Sequence, residues 1–307
     1  MKKLLIPFIL LFLLLITACN SESPEKENNA NSDQNKLETI TYQSENGPIE
    51  VPAAPQRVIL LSGYTGNVIS LGVNIVGVDQ WSKKNPRFAE QLKDVEEVSD
   101  ESLEKIIELE PDLIIGLSNI KNIDKLNQIA PTVTYTWGKL DYLSQHIEIG
   151  KLLNKETEAK QWVEDFKKRA QATGEDIRAK IGEDATVSVI ESYEKQLYVF
   201  GDNWARGTEI LYQAMNLKMP EKVKDMALKE GYYALSLEVL PEYAGDYMIL
   251  SKYSDADNSF QETETYKNIP AVKNNRVFEM NGNGSSFSDP ITLDDQLEFF
   301  KRAFLGN

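Results

Sequence analysis

The feature that most constrains the fold is a long charged segment from Thr157 to Ile181. Its apolar residues recur at a spacing near 3.6, the period of one helix face; they are Ala159, Trp162, Val163, Phe166, Ala170, Ile177 and Ile181. Gly182 follows as a natural helix stop. At 1.5 Å per residue the helix would be roughly 37 Å long, enough to run from one domain to another. Trp162 is expected to pack in the apolar stripe rather than in a binding site.

The chain before this helix alternates short β-like runs with helix-length segments. The apolar runs are bounded by Gly, Pro, Asp or Asn and cover 58–61, 75–78, 113–116 and 132–135. Helical segments at 103–110 and 123–129 lie between them. This alternation predicts an α/β lobe with a largely parallel sheet.

A second strand-rich region follows the helix. Its predicted strands are 186–190, 196–200, 246–250 and 276–280, with a helix around 208–215 and a closing helix whose apolar face is Leu297, Phe300 and Phe304. The resulting domain limits are 37–153 for the N-terminal lobe, 154–182 for the bridging helix and 183–307 for the C-terminal lobe. Two lobes joined by one helix form a cleft, and clefts between domains are where ligands bind.

The two lobes share a repeated pattern at equal spacing. Each copy has a serine, two glutamates and an aspartate, which are Ser102, Glu104, Glu108 and Asp112 in one lobe and Ser236, Glu238, Glu242 and Asp246 in the other. A helix that opens with serine and carries a glutamate in its first turn is also favoured by capping and by the helix dipole. The residues alone therefore leave open whether the pattern is functional.

The N-terminus predicts export. Lys2 and Lys3 precede an apolar run that ends at Ile16 and is too short to span a bilayer stably. Thr-Ala then leads to Cys19, the chain's only cysteine, and this pattern resembles the bacterial lipobox. The resemblance implies a signal peptide over 1–18, a lipid on Cys19 and a location on the outer face of the cell membrane. Residues 19–36 contain no large hydrophobe, so a flexible, solvated linker is expected there.

Composition disfavours several functional classes. The net charge of -15 is the wrong sign for nucleic-acid binding. The one histidine, His146, lies in a helical stretch over 143–153 and is expected at the surface. A serine-hydrolase triad would have to be built on this residue, and a His-rich zinc or manganese site and haem ligation through histidine are disfavoured. Gly282-Asn283-Gly284 is expected to be a simple turn. We expect no catalytic residues, no cofactor and no metal held by the protein.

Aromatic residues surround one arginine close to predicted loops. Tyr198 alternates with Val199 along a strand, and Trp204 and Arg206 lie in the turn that follows. Rings would cover the apolar frame of a bulky ligand, while the guanidinium would donate several hydrogen bonds. Because Arg206 lies in a loop, its removal is expected to cost little stability. The alternative is that Trp204 caps the core and Arg206 pairs with a surface carboxylate.

Five segments together resemble the ferric-hydroxamate siderophore-binding lipoproteins of Gram-positive bacteria. They are the lipobox, Ala130-Pro131-Thr132 leading to Trp137, and residues 197–207, 244–247 and 288–294. Those lipoproteins are the substrate-binding components of ABC importers, and the similarity covers nearly the whole chain from about Leu37. It implies two Rossmann-like α/β lobes joined by a single long helix, the class III periplasmic-binding-protein architecture.

The resemblance also implies ligand-contacting residues. Tyr198, Trp204 and Arg206 would contact the ligand from the C-terminal lobe, with Arg206 donating to the hydroxamate oxygens around iron. Trp137 and Phe287 stand where relatives have tyrosines, so each keeps a ring and loses a hydroxyl. Further candidates are Tyr64, Tyr232 and Trp81.

The repeated glutamates acquire a role from the same resemblance. Glu104 and Glu238 match a pair of carboxylates, one on each lobe, that dock onto arginines of the permease. Both would then project from the starts of equivalent helices towards one partner.

The combined expectation is a non-enzymatic, monomeric, lipid-anchored receptor that delivers an Fe(III)-hydroxamate siderophore to an ABC permease. The siderophore supplies the oxygen ligands of iron, so the protein needs none. Within binding proteins, the alternatives are a catecholate or citrate-type siderophore, haem or a corrinoid, although strongly anionic complexes would call for several basic residues. Outside that class, an exported hydrolase would lack its nucleophile and base, and a structural surface lipoprotein would leave the aromatic cluster unexplained.

Overall fold

The computed structural model describes residues 38–253 and 256–306. The predicted signal peptide over 1–18, the lipidated Cys19 and the linker over 19–36 lie outside these ranges. Among the helices of the described ranges, none is both long and apolar enough to cross a membrane.

An antiparallel hairpin that the sequence analysis did not predict opens the described chain. It pairs β1 (Thr39–Ser44) with β2 (Gly47–Pro52) across a two-residue turn. Gly47 adopts a φ of 109°, which favours glycine, and the Ser44 hydroxyl donates to its carbonyl over 2.7 Å. Asn46-Gly47 between alternating apolar residues is a recognised hairpin signal, so this element could have been predicted.

The first lobe is a parallel sheet of five strands with helical crossovers. Its strands are β3 (Val58–Leu60), β4 (Ile75–Val78), β5 (Glu96–Glu97), β6 (Leu113–Leu117) and β7 (Thr132–Tyr135), in the order β5-β4-β3-β6-β7. Its helices are α1 (Thr65–Ser70), α2 (Gln80–Lys84), α3 (Leu103–Glu108), α4 (Ile123–Ile129) and α5 (Tyr142–Leu152). Every neighbouring pair in this sheet is parallel, which confirms the prediction.

Alternation along the strands covers both faces of this sheet. Val58 and Leu60 pack into one core cluster, while Ile59 between them packs into the other. Successive side chains of a strand point to opposite faces, so an unbroken apolar strand needs cover on both sides. Full burial of each such side chain contributes about 1.5–3 kcal/mol.

The predicted bridging helix is present as α6 (Glu156–Ile181). Gly182 ends it with a φ of 103°, as the sequence predicted. Trp162 packs as expected, since its ring stacks on Phe166 at 4.9 Å between centroids and its indole nitrogen donates to the Asp294 carboxylate over 3.0 Å.

The second lobe has a mixed five-stranded sheet. Its strands are β8 (Val187–Tyr193), β9 (Gln196–Phe200), β10 (Tyr232–Leu235), β11 (Tyr247–Lys252) and β12 (Val277–Asn281), in the order β10-β9-β8-β11-β12. Strands β8, β11 and β12 are parallel, whereas β9 is antiparallel to both of its neighbours.

The helices of this lobe are mostly short. They are a π-helix (Glu209–Ala214), α7 (Glu221–Ala227), α8 (Leu240–Tyr243), a 3₁₀-helix (Ser259–Glu262), α9 (Glu264–Lys267), α10 (Pro270–Lys273), α11 (Gly282–Ser285) and α12 (Pro290–Leu305). Residues 282–285 therefore form one helical turn rather than the simple turn expected. The closing helix α12 buries Leu297, Phe300 and Phe304 as predicted.

The expectation that His146 lies at the surface is wrong. It is only 1 % exposed, with its ring edge against Trp162 and its Nδ1 atom 3.2 Å from the Asn67 amide nitrogen. The reason is that α5 packs against both α1 and α6, so this face of α5 is interior. Burial lowers the pKa of His146 to about 4.

The repeated pattern has a structural basis in its aspartates. Asp112 stands just before β6 and accepts hydrogen bonds from the backbone amides of Gln56 and Arg57, which lead into neighbouring β3. Asp246 stands just before β11 and accepts from the amide and hydroxyl of Thr186, which leads into neighbouring β8. Each aspartate therefore ties together the starts of two adjacent parallel strands.

The glutamates of the repeat are less equivalent than expected. Glu104 lies in the first turn of α3, but Glu238 lies in a turn that precedes α8. Pro241 is well suited to the first turn of a helix, so α8 begins later than the pattern suggested. Both glutamates are exposed.

The two lobes contact each other through the segment around α12. Phe287, in the loop before this helix, packs against Phe88 of the first lobe at 5.7 Å between ring centroids. Arg87 pairs with Asp295 on α12 and also donates to the carbonyl of Gly284 over 2.7 Å. Apolar and charged contacts thus hold the lobes together beside the cleft.

Candidate functional site

Two neighbouring cavities lie on the cleft between the lobes. The first has a volume of about 360 Å³ and is lined from both lobes, with Tyr64 and Trp137 on one side and Glu209 and Phe287 on the other. The second, of about 330 Å³, is lined mainly by the second lobe. The rings of Trp137 and Trp204 meet at 6.3 Å between centroids, which places the two cavities side by side.

The second cavity has an aromatic wall built from adjacent strands. The rings of Tyr198 on β9 and Tyr232 on β10 meet edge to face, with 6.0 Å between their centroids. The centroid of the Trp204 ring lies 5.0 Å from that of Tyr232. Tyr198 faces the cavity while its neighbour Val199 is fully buried on the other side. Strand alternation thus directs Tyr198 to the cavity and Val199 to the core.

Arg206 is anchored in this wall by a buried carboxylate. Its Nε and Nη2 atoms each donate to Glu191 over 3.0 Å, which makes a bidentate pair. Glu191 is 2 % exposed and also accepts from the Ser251 hydroxyl over 2.7 Å. Burial by itself lowers the pKa of Arg206, but the charge and hydrogen bonds of Glu191 more than offset this and raise it. The guanidinium also lies over the Phe200 ring at 5.1 Å.

The backbone that carries Arg206 has an uncommon conformation. Ala205 and Arg206 both have a φ of 56°, and Gly207 follows at 81°. Non-glycine residues adopt left-handed conformations at a cost of about 1–2 kcal/mol each. Hydrogen bonds compensate: the Arg206 amide donates to the Ser285 carbonyl over 2.7 Å, and the Ala205 amide donates to Glu209 over 3.0 Å.

Buried polar groups line the first cavity. The Glu209 carboxylate is 3 % exposed and accepts from the hydroxyls of Thr208 and Ser288 over 3.0 and 2.9 Å. Burial raises its pKa. The Gln145 amide nitrogen, on the same cavity, is buried without a hydrogen-bond partner in the described structure. An unpaired buried donor of this kind is costly.

The comparison with known proteins decides the family. The profile of the periplasmic binding protein family matches residues 58–283. This chain belongs to the periplasmic binding proteins.

Its similarity to individual relatives extends over nearly the full length. The iron(3+)-hydroxamate-binding protein FhuD of Bacillus subtilis (strain 168) is 37% identical, with 95% of this chain and 94% of the relative covered. The iron(3+)-hydroxamate-binding protein YxeB of the same organism is also 37% identical, with 97% and 95% covered. FhuD2 from Staphylococcus aureus with bound ferrioxamine B has a TM-score of 0.79 at 33% identity, covering 82% of this chain and 99% of that one.

The fold predicted from the sequence is confirmed for this periplasmic binding protein. Two α/β lobes with parallel strands are present, and a single long helix lies between them along the chain. The relatives are binding proteins by name, in line with a non-enzymatic role. No group of three or more His, Cys, Asp or Glu side chains in residues 38–253 and 256–306 is placed to hold a metal ion.

The structure brings the predicted ligand residues of this periplasmic binding protein to the two cavities. Tyr198, Trp204, Arg206, Tyr232 and Trp81 line the second; Tyr64, Trp137 and Phe287 line the first. Trp137 is 55 % exposed and free to contact a ligand, whereas Tyr64 and Phe287 belong largely to the core of the first lobe.

The structure changes the prediction for the stability effect of removing Arg206. The loop position is correct, but its partner Glu191 is buried rather than at the surface. Removing the guanidinium would leave an uncompensated buried carboxylate, a change that typically costs about 3–5 kcal/mol.

Several residues that line the second cavity or the first were not predicted from the sequence. Glu191, Tyr193 and Tyr253 lie at or just beyond the carboxyl ends of β8 and β11, where ligands bind in open α/β sheets. A glutamate after the apolar run 187–190 is the signal that could have revealed Glu191. No comparable sequence pattern identifies Glu209, because the geometry of the preceding loop places its carboxylate at the cavity.

Proposed function

We propose that this chain binds Fe(III)-hydroxamate siderophores in the two cavities and delivers them to the permease of an ABC importer. The observation that carries the proposal is the aromatic wall around Arg206, the only basic side chain among the residues that line the two cavities in the described part of the chain. Aromatic rings suit the apolar frame of a siderophore, and the guanidinium suits the oxygens around iron.

Charge favours hydroxamates over the other iron complexes. A ferric trihydroxamate centre is electrically neutral, so it needs no compensating cations. A ferric catecholate or citrate complex carries several negative charges, and these cavities hold Glu191 and Glu209 beside their single arginine. The similarity to FhuD and YxeB supports the same ligand class.

The finer parts of the proposal concern residues and location. We assign ligand contact to Trp137, Tyr198, Trp204 and Arg206, with Phe287, Tyr64, Tyr232 and Trp81 completing the walls. Lipid attachment at Cys19 would keep the receptor, as a monomer, on the outer face of the membrane. We also propose domain boundaries that place the N-terminal lobe at 37–153, the bridging helix at 154–182 and the C-terminal lobe at 183–307. Docking to the permease is assigned to Glu104 and Glu238.

Two neighbouring tyrosines on β10 offer a matched test of the site. Tyr232 is 40 % exposed on the cavity side, whereas Tyr233 faces the opposite side and stacks on Tyr243 at 5.7 Å. Tyr232→Ala should weaken ferrioxamine B binding by about tenfold, the scale of one aromatic contact, and leave the unfolding midpoint almost unchanged. Tyr233→Ala should lower stability and keep the affinity.

The dissociation constant is measured from the quenching of intrinsic protein fluorescence as ferrioxamine B is added to the folded protein. The wild-type protein should bind this ligand and should not bind ferric citrate, a ferric tris-catecholate or haem comparably. Equal affinities in Tyr232→Ala and wild-type protein would place the ligand elsewhere, and tighter binding of an anionic complex would overturn the ligand class.

A further inference from the structure

The ion pair between Glu191 and Arg206 occupies the inner wall of the second cavity. Glu191 takes both hydrogen bonds on one edge of the guanidinium, through Nε and Nη2. The remaining nitrogen, Nη1, donates only to the Trp204 carbonyl at 3.3 Å. Glu191 therefore fixes which edge of the arginine remains available to a ligand.

Glu191 is itself held firmly. Its carboxylate accepts from the buried Ser251 hydroxyl over 2.7 Å, and Tyr253, whose hydroxyl lies 3.4 Å from Arg206 Nη2, closes the other side. The Tyr253 hydroxyl is in turn 2.9 Å from that of Ser286. Strands β8 and β11 thus supply a rigid frame for the arginine.

The pair also sets the charge that the ligand meets. Arg206 is the sole basic residue lining the two cavities within the described ranges, and the acidic residues there are Glu191, Asp141 and Glu209. The positive charge of the guanidinium is cancelled at contact distance by Glu191. An anionic complex entering this poorly solvated wall would gain no net attraction, and it would meet carboxylates of like charge.

We propose that Glu191 is a specificity-determining residue that orients Arg206 and cancels its charge, so that the cleft accepts neutral or cationic ferric complexes and rejects anionic ones. This inference rests on the proposed function and extends it from ligand class to ligand charge. Removing the negative charge while keeping the side-chain shape should convert the wall into a site for anions.

The test compares two ligands that differ at the iron centre. One is ferrioxamine B, and the other is a linear analogue in which a catecholate replaces one hydroxamate, which adds one negative charge to the centre. Wild-type protein should prefer ferrioxamine B. Glu191→Gln should shrink that preference by about tenfold or more, through tighter binding of the anionic analogue that weakens with added salt.

Three further variants separate charge from structure. Glu194→Gln removes the same charge from the exposed β8–β9 turn and should leave the preference unchanged. Glu191→Asp retains the charge and should keep the preference even where overall affinity falls. The neutral pair Glu191→Gln with Arg206→Gln should also restore the wild-type preference, and it tests the charge argument if the single variant folds poorly.

The outcomes distinguish this inference from the function on which it rests. An unchanged preference in folded Glu191→Gln, or equal loss of both ligands in Glu191→Gln and Glu191→Asp, would overturn the charge role while leaving hydroxamate binding intact. Failure of the wild-type protein to bind either ligand would overturn the proposed function itself.

Discussion

Replacement of Gly66 by alanine should destabilise the protein, against the usual preference for alanine in helices. Gly66 lies on α1 of the first lobe, where it meets the start of α12. A Cβ atom at this position would lie 1.9 Å from Oδ1 and 2.1 Å from Cγ of Asp289. Neither separation is physically possible, so one of the two segments must move.

Asp289 has little freedom to move away. It is 1 % exposed and caps α12 by accepting from the amides of Ile291 and Thr292 over 3.0 and 3.1 Å and from the Thr292 hydroxyl over 2.8 Å. Loss of such a cap costs about 1 kcal/mol, and overpacking costs about 1–3 kcal/mol. Alanine recovers about 0.5–1 kcal/mol of helix propensity. We expect Gly66→Ala to lower the free energy of unfolding by about 1–3 kcal/mol.

Urea unfolding of the protein without its lipid measures this loss of unfolding free energy. The variant Asp289→Ala provides the control background. Truncating Asp289 removes the three atoms nearest to the added methyl group, so Gly66→Ala should be neutral or slightly stabilising in that background. Equal losses in both backgrounds, or a wild-type stability for Gly66→Ala alone, would refute the close contact between α1 and α12.

Three further predictions follow from other parts of the chain. Burial lowers the pKa of His146 from 6.5 to about 4, so the imidazole is protonated in the unfolded chain at a higher pH than in the folded protein. Between pH 6.5 and pH 4 the wild-type protein should therefore lose about 3 kcal/mol of unfolding free energy relative to His146→Gln. Curves of unfolding free energy against pH that run parallel for the two proteins would contradict this prediction. Cys19→Ala should fold normally and incorporate no radiolabelled palmitate. Glu104→Ala combined with Glu238→Ala should keep siderophore affinity and melting temperature but abolish most uptake in cells with no other receptor, whereas normal uptake would reduce these glutamates to local structural roles.

Periodicity was enough to predict the architecture. The apolar spacing over 157–181 placed α6 to within one residue, and the short apolar runs placed four of the five strands in each sheet. The edge strands β5 and β10 were not predicted. These signals are local and repeat along the chain. The hairpin formed by β1 and β2 was missed although the Asn46-Gly47 pair at the end of its turn is also a local signal, so this error was avoidable.

The site was predictable only in part, because its decisive contacts are long-range. Tyr198, Trp204 and Arg206 are close in sequence, and their clustering could be read directly. The partnership of Arg206 with Glu191, which are 15 residues apart, depends on the register of the β8–β9 hairpin and on a left-handed turn at two non-glycine residues. No residue type in this segment signals that combination. The burial of His146 likewise depends on how α5 packs between other helices.

A crystal structure of the complex with ferrioxamine B tests directly whether the ligand binds in the two cavities. Anomalous scattering at the iron edge locates the metal without reference to the protein. We predict one iron position in the cleft, between Trp137 of the first lobe and the wall of Tyr198 and Arg206 in the second, with no protein atom bound to it. An iron position outside the two cavities, or one coordinated by protein side chains, would show that the binding site has been assigned wrongly.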